Sequence, residues 1–331
     1  MISFSTYLGE GARIFLNSWK SRLFPKEYPG DAESICREIV KECWNGKFFQ
    51  TSTTNFKQFW SRDFGWCTAS LLKLNYESQV HQTLKYALNR FQQYNKITTT
   101  ITPQGKLYDF PTFAVDSLPW LIHSIKISNF PYYDYKIFLD KEIAKFFHKA
   151  VDPNTGLVRK DVHFSSMKDF AIRNSSCYDN CMLAMLAKDL KEMKLINPFK
   201  KYDYNYLIMR HFWNGTYFYD DLDHKSYVAG DANIFPFLVG INKNEEKIKS
   251  VIEEIKKAKL DDPFPLKYTN SRAGVKFISK EFFLRDYESN AIWTHMGPLY
   301  IKLVQQVNPE LASNYKYFYK DIIEKNKNYL E

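Results

Sequence analysis

Five short clusters set carboxylates beside Arg or Trp, each where a polar stretch runs into an apolar-periodic one. The first is Trp60-Ser-Arg62-Asp63-Phe-Gly-Trp66. Adjacent guanidinium and carboxylate groups make directional hydrogen bonds to vicinal hydroxyls, and indole faces stack on the apolar face of a sugar ring. The second is Asp116-Ser-Leu-Pro119-Trp120. Asp63 and Asp116 suit helix caps as well as they suit a substrate, and Pro119 suits a first helical turn. The third, Met167-Lys-Asp169-Phe-Ala-Ile-Arg173, leads into Tyr178-Asp179-Asn180. A carboxyl between Met and Phe is set to be desolvated, which raises its pKa as a general acid near neutral pH requires. The alternative for Asp169 is an ion pair with Arg173 four residues on. The fourth runs from Trp213 through Asp220 and Asp221 to Gly230-Asp231-Ala-Asn233. Asp220, Asp221 and Asp223 together suggest a Ca²⁺ loop, but the Gly and distal Glu of an EF-hand are missing, so no metal is expected. The fifth is Asp286-Tyr-Glu288-Ser-Asn-Ala-Ile-Trp293-Thr-His295-Met-Gly297, with Glu288 as a second carboxylate and His295 as a hydroxyl-binding or structural ring.

Helices must position these residues. Helical periodicity predicts helices over 32–45, 63–74, 77–94, 113–127, 137–150, 175–193, 203–212, 231–239, 244–258, 285–305 and 308–329. Strand signals are short: the β-branched run Lys96–Thr102, a hairpin at 212–219 turning on Asn214-Gly215, and Lys276–Ser279. The fold class expected is therefore all-α. A solenoid would show a repeating consensus, and none is present. Helix hairpins closed into a ring remain, with loops and short strands gathered at one end. No Pro/Ser/Gly-rich linker divides the 331 residues, which predicts a single domain over 1–331.

Composition excludes several classes. The chain is 45% hydrophobic and 25% charged, so it is neither disordered nor a disulfide scaffold. Its net charge of +9 is dispersed, and 243–262 mixes both signs at helical spacing as a solvated face does, so nucleic acid is not an expected partner. Five Cys without regular spacing fit a reducing, cytoplasmic setting, and Cys177 and Cys181 read as core thiols. There is no apolar run long enough for a membrane span and no cleavage-site pattern near the N-terminus. Phosphate loops, G-x-S-x-G and H-E-x-x-H are absent, and no cofactor is expected. Phe, Tyr and Trp make up 17% of residues, mostly as core, with Trp60, Trp120, Trp213 and Trp293 placed to stack on a ligand.

In order, these clusters resemble the six-hairpin (α/α)6 glycosidases, most of all the amylo-α-1,6-glucosidase module of glycogen debranching and the glucoamylase, trehalase and processing-glucosidase families. Trp60-Ser-Arg62-Asp63 is similar to their W-x-R-D element. Val115-Asp116-Ser-Leu-Pro-Trp120 is similar to v-D-A-x-L-W. Asp169-Phe-Ala resembles the general-acid segment M-D-A, and D-F-S-S-R-W with Arg173 in register. Tyr178-Asp179-Asn180 resembles E-x-N-A-L-W, with Asp in place of Glu. Phe212-Trp213-Asn214, Tyr219-Asp220 and Ala232-Asn233-Ile234 follow F-W-N…L-Y-D…R-P-N-Q, and Ile292-Trp293 through Tyr300 resembles V-W-P-W…G-x-Y. The likeness covers about residues 45–331. Lys168, Phe170 and Asp231-Ala232 depart from it.

The resemblance implies an (α/α)6 barrel and an inverting hydrolysis of an α-linked glucosyl oligosaccharide or glucoside. One carboxylic acid protonates the leaving oxygen and a second carboxylate roughly 6.5–9.5 Å away activates water. It implies Asp169 as the acid and puts the base at Glu331, with Glu288 as the alternative and a missing base as the third case. It implies substrate contacts from Trp60, Arg62, Asp63, Asp116, Trp120, Arg173, Asp179, Asn180, Trp213, Asn233, Glu288, Trp293 and His295. Two other readings stay open: a carbohydrate-binding protein without turnover on the same fold, and an (α/α)6 epimerase or lyase.

Overall fold

The computed structural model describes residues 13, 16, 17, 19, 20, 23, 24, 26–270, 272, 274–279 and 287–329. They form two compact units. One comprises the chain up to Phe110, Trp120–Phe138 and the stretch from Lys320; the other comprises Pro111–Pro119 and Leu139–Tyr319. Helix dominates both, as the periodicity predicts.

In the first unit α1 (Ala32–Cys43) is capped by Asp31, whose carboxylate accepts from the Ser34 N–H at 2.9 Å. α2 (Ser61–Lys73) buries Phe64, Gly65, Thr68 and Leu71, the i, i+3, i+4 stripe of an amphipathic helix. α3 (Glu77–Gln93) buries Val80, Leu84, Ala87, Leu88 and Phe91 and packs on α2. Asn75 (φ 64°) turns the chain between them, a left-handed position that Asn tolerates. A small antiparallel sheet, β1 (Phe59–Trp60), β2 (Thr100–Ile101) and β3 (Leu107–Tyr108), sets Trp60 opposite Thr100 and delivers the chain into α2. Residues 120–127 of α4 (Ser117–Ile127) belong here as well. Thr68 of α2 and Ser124 of α4 share a 3.0 Å hydrogen bond. At Gly65 a Cβ would stand 2.6 Å from that of Trp120, so only glycine lets the two helices approach this closely.

The second unit is built on two helices whose N-terminal turns are buried on every side. α6 (Cys177–Glu192) buries an almost unbroken run from Cys177 to Leu183, and α8 (Gly230–Leu238) buries all of Gly230–Phe237. Such all-round burial marks inner helices. α6 packs on α7 (Tyr204–Phe212) and on α8, and α8 packs on α9 (Glu245–Lys257) and α10 (Met296–Val304). α9 turns Ile248, Val251, Ile252 and Ile255 inward and its charges outward, as the mixed-sign pattern predicts. Residues 139–150 of α5 (Lys136–Ala150) and 309–319 of α11 (Pro309–Asn326) belong to this unit as well. β4 (Ala171–Ile172) pairs with β5 (Lys276–Phe277). The expected hairpin is present as a Trp213–Phe218 bridge, with Gly215 at φ 111°.

Two helices start later than the periodicity predicts. The one expected from 113 begins at Ser117, because Ala114 bridges to Ser165 and the Val115 N–H donates to the Ser165 carbonyl at 3.1 Å. The one expected from 285 begins at Met296, because Ile292 bridges to Lys267 and the Trp293 N–H donates to the Leu266 carbonyl at 2.8 Å. Among the described residues no helix is long and apolar enough to cross a membrane.

The Gly65 contact gives a direct test. Gly65→Ala is expected to lower stability by about 1–3 kcal/mol through overpacking against Trp120, read from the midpoint of urea unfolding.

Candidate active site

In the first unit Trp60 and Arg62 are buried and Asp63 is half-buried. The cap position of α2 is Trp60, and Asp63 lies inside the first turn, where a carboxylate complements the helix dipole. Trp60 packs edge-on against Phe56 and Phe110, with ring centroids 6.1 and 6.0 Å away, and its buried Nε1 has no hydrogen-bond partner among the described residues. Trp120 meets Trp66 edge-on at 6.2 Å and His123 at 5.7 Å.

The second unit holds the remaining described candidates and a cluster of buried charges. Lys168 has 0% of its side chain exposed; its Nζ lies 3.2 Å from Asp231 Oδ1 and 3.4 Å from Asp220 Oδ1. Arg173 Nη1 lies 2.8 Å from Asp231 Oδ2 and 3.4 Å from Asp220 Oδ1, and its Nη2 donates to Ser166 Oγ at 2.8 Å. Two cations thus face two carboxylates, the balance that low dielectric demands. Tyr227 donates to Asp220 Oδ2 at 2.7 Å. Burial opposes the charge of Asp220, yet Lys168 and Arg173 hold its carboxyl down at about 2. Arg173 therefore pairs with Asp220 and Asp231 rather than serving Asp169 through local helical spacing.

Asp169 sits beside this cluster. From Phe164 to Ala171 every residue is buried except Asp169, which is half-exposed. Glu288, only 2% exposed, accepts from the backbone N–H groups of Asp169 at 2.5 Å, Phe170 at 2.7 Å and Ala171 at 2.9 Å. Burial pushes the Glu288 carboxyl up to about 7 against the pull of those donors and of Arg173. Both of its oxygens are thus engaged by backbone, and it stands behind Asp169 rather than in the open.

Asp179 lies in the first turn of α6, and its N–H donates to the capping Ser176 Oγ at 3.0 Å. Its Oδ1 is buried and has no hydrogen-bond partner among the described residues. Burial pushes its carboxyl up to about 6 against the pull of the Arg173 guanidinium and the Ser176 hydroxyl, with Asp116 adding repulsion. Asp116 is fully buried and accepts from the Tyr178 hydroxyl at 3.1 Å.

The two asparagines spend their amides on backbone. Asn180 accepts from the Val158 N–H and donates to Ser175 Oγ and the Ser176 carbonyl. Asn233 accepts from the Phe218 N–H at 2.7 Å and donates to the Phe218 and Ala229 carbonyls, which pins the hairpin to α8. Trp213 packs on Phe218 and carries Lys247 Nζ 4.7 Å from its ring centre. Trp293 donates from Nε1 to the Tyr287 carbonyl at 2.7 Å and packs with Tyr268 and His295, both at 5.1 Å. Glu331 lies outside the described residues.

Local spacing does not reveal the partners of Lys168, which interrupts a motif, or the roles of Asp220 and Asp231, which read as loop carboxylates. A cation at 168 and another at 173 answering carboxylates at 220 and 231 was the available signal. Of the Ca²⁺ alternative, Asp220 is taken by the two cations, and Asp221 accepts from the Asn174 N–H at 2.9 Å and pairs with Lys225. Among the described residues no group of three or more His, Cys, Asp or Glu is placed to hold a metal ion.

No family model and no curated protein matches the chain. A solved structure does: a rhamnosidase from Klebsiella oxytoca with rhamnose bound, at a TM-score of 0.59 and 9% sequence identity. The match covers 93% of this chain and 58% of that one, and at this identity it establishes a shared fold. The chain spans little more than half the length of that protein.

Asp179 carries a pH signature. Its carboxyl in the folded chain titrates at about 6, above its ordinary 3.8, so the folded state binds the extra proton between those values. The stability it contributes is complete below the lower value and lost as pH rises to the higher one. Asp179→Asn is expected to flatten that loss and raise stability at pH 7 by on the order of 1–3 kcal/mol, measured by urea unfolding at pH 4 and pH 7. Lys168→Met is expected to cost about 3–5 kcal/mol by the same assay, because it strands Asp220 and Asp231 on one cation.

Proposed function

We propose that the chain is a glycoside hydrolase of the six-hairpin (α/α)6 kind, one toroidal domain that cleaves an α-linked glucoside with inversion. Asp169 is its general acid. The observation that carries this reading is the placement of Asp169 as the single half-exposed residue in an otherwise buried run, on backbone that Glu288 fixes. A glycosidase needs one carboxyl that reaches the glycosidic oxygen from a rigid frame, in surroundings that favour its protonated form. The fold shared with the rhamnosidase supports the same reading, as does the order of the sequence clusters.

A second reading, carbohydrate binding without turnover, is favoured by Glu288. Its two oxygens are occupied by three backbone N–H groups and are not offered to a water molecule.

Hydrolysis of maltose, isomaltose, trehalose and an aryl α-rhamnoside by wild type and Asp169→Asn separates these. The rhamnoside belongs in the panel because the similar structure holds rhamnose. The expected result is turnover of an α-glucoside that Asp169→Asn lowers by about 10²–10⁴-fold. Equal rates in the two proteins would remove Asp169 from the mechanism. Sugar binding by calorimetry with no turnover of any substrate would favour the second reading.

A further inference from the structure

We propose that Glu288 is the positioning residue for Asp169, a buried carboxyl whose oxygens hold the acid's backbone in the conformation from which its side chain acts. The proposal rests on the reading of Asp169 as the general acid. Three consecutive N–H groups, those of Asp169, Phe170 and Ala171, converge on the two Glu288 oxygens at 2.5–2.9 Å. Successive backbone donors aimed at one point form an anion nest, the arrangement proteins use to grip phosphate or carboxylate. Here the chain supplies its own anion from a segment more than a hundred residues away.

The neighbouring residues are tied just as tightly. The Met167 carbonyl accepts from the Tyr268 hydroxyl at 3.0 Å. Lys168 is fixed by Asp220 and Asp231. The Phe170 carbonyl accepts from the Ile278 N–H at 2.9 Å, and Ala171 pairs with Phe277 in the β4–β5 ladder. Every backbone position from 167 to 171 is thereby anchored directly or through its neighbour, and the half-exposed residue among them is Asp169.

The chemistry of the anchor matters. In its ionised form the carboxyl is acceptor-only, with about four lone-pair sites, and so answers three donors at once. An amide at this position offers one acceptor oxygen and turns N–H groups toward N–H groups. Burying a carboxyl this deeply is costly, and burial does push it up to about 7. A position that needed only packing would be filled by an apolar side chain at lower cost. The retained carboxyl is accounted for by the precision it imposes on Asp169, since a displacement near 1 Å at a reacting group costs about 10²-fold in rate.

Glu288→Gln tests this with two substrates that differ only in leaving group. α-Glucosyl fluoride expels fluoride with little need of a proton, whereas an alkyl or simple aryl α-glucoside needs one. A misplaced acid slows only the second; a damaged fold slows both. The expected result is a kcat on the alkyl or aryl glucoside lower by about 10–100-fold, with the fluoride rate within about threefold of wild type. Hydrogen exchange at the amides of Asp169, Phe170 and Ala171 is expected to speed up by at least about tenfold, a readout that needs no substrate. Equal losses on both substrates, no loss on either, or unchanged exchange would overturn the proposal. Asp169→Asn, measured alongside, keeps the two claims apart. If it hydrolyses the alkyl glucoside like wild type, the general-acid reading fails while the exchange data still judge the clamp. A wild type that turns over neither substrate overturns both.

Discussion

Charge neutrality inside the second unit is the constraint on which its site depends. Lys168 and Arg173 are buried with Asp220 and Asp231, and neither pair is complete without the other, since each cation touches both carboxylates. Taking one such ion out of water costs several kcal/mol, repaid only when partners and hydrogen bonds meet it on all sides. Tyr227 and Ser166 supply those extra bonds. The cluster thereby joins three stretches of chain that local structure leaves separate: the segment bearing Asp169, the loop after the hairpin, and the start of α8. Asp231 lies in the first turn of α8, so the inner helix is held by the same charges that hold the segment around Asp169.

One unit thus keeps carboxyls in three conditions. Asp220, between two cations, stays ionised with its carboxyl at about 2. Asp179, deeply buried with one unpartnered oxygen, is raised to about 6, and Glu288, gripped by backbone donors, to about 7. The residue type is nearly constant and the neighbours decide.

The helices were legible in the sequence because periodicity is local. α9, with Ile248, Val251, Ile252 and Ile255 on one face and charges on the other, is readable from thirteen residues alone. The starts of α4 and α10 were not, because Ala114 and Ile292 are held by bridges to Ser165 and Lys267, partners that no local window contains. The candidate residues divide the same way. Trp60-Ser-Arg62-Asp63 and Asp169 stand out by type and spacing, and the structure gives Asp169 an exposure unlike that of its neighbours. The clamp from Glu288 and the pairing of Lys168 with Asp220 and Asp231 join residues dozens to more than a hundred positions apart. Asn180 and Asn233 show the converse: motif positions that suggest ligand contacts spend their amides on the Val158 and Phe218 backbone.

The first unit is assembled from distant parts of the chain. The Ala32 N–H, at the start of α1, donates to Glu324 of α11 at 3.0 Å, and the Tyr28 N–H donates to the Lys327 carbonyl at 2.8 Å. Partners nearly three hundred residues apart cannot meet until both have been synthesised. At the pace of translation, roughly 5–20 residues per second, α1 waits some tens of seconds for them. Throughout that interval the face of α1 bearing Ala32 and Ile35, buried in the finished protein, lacks this closure.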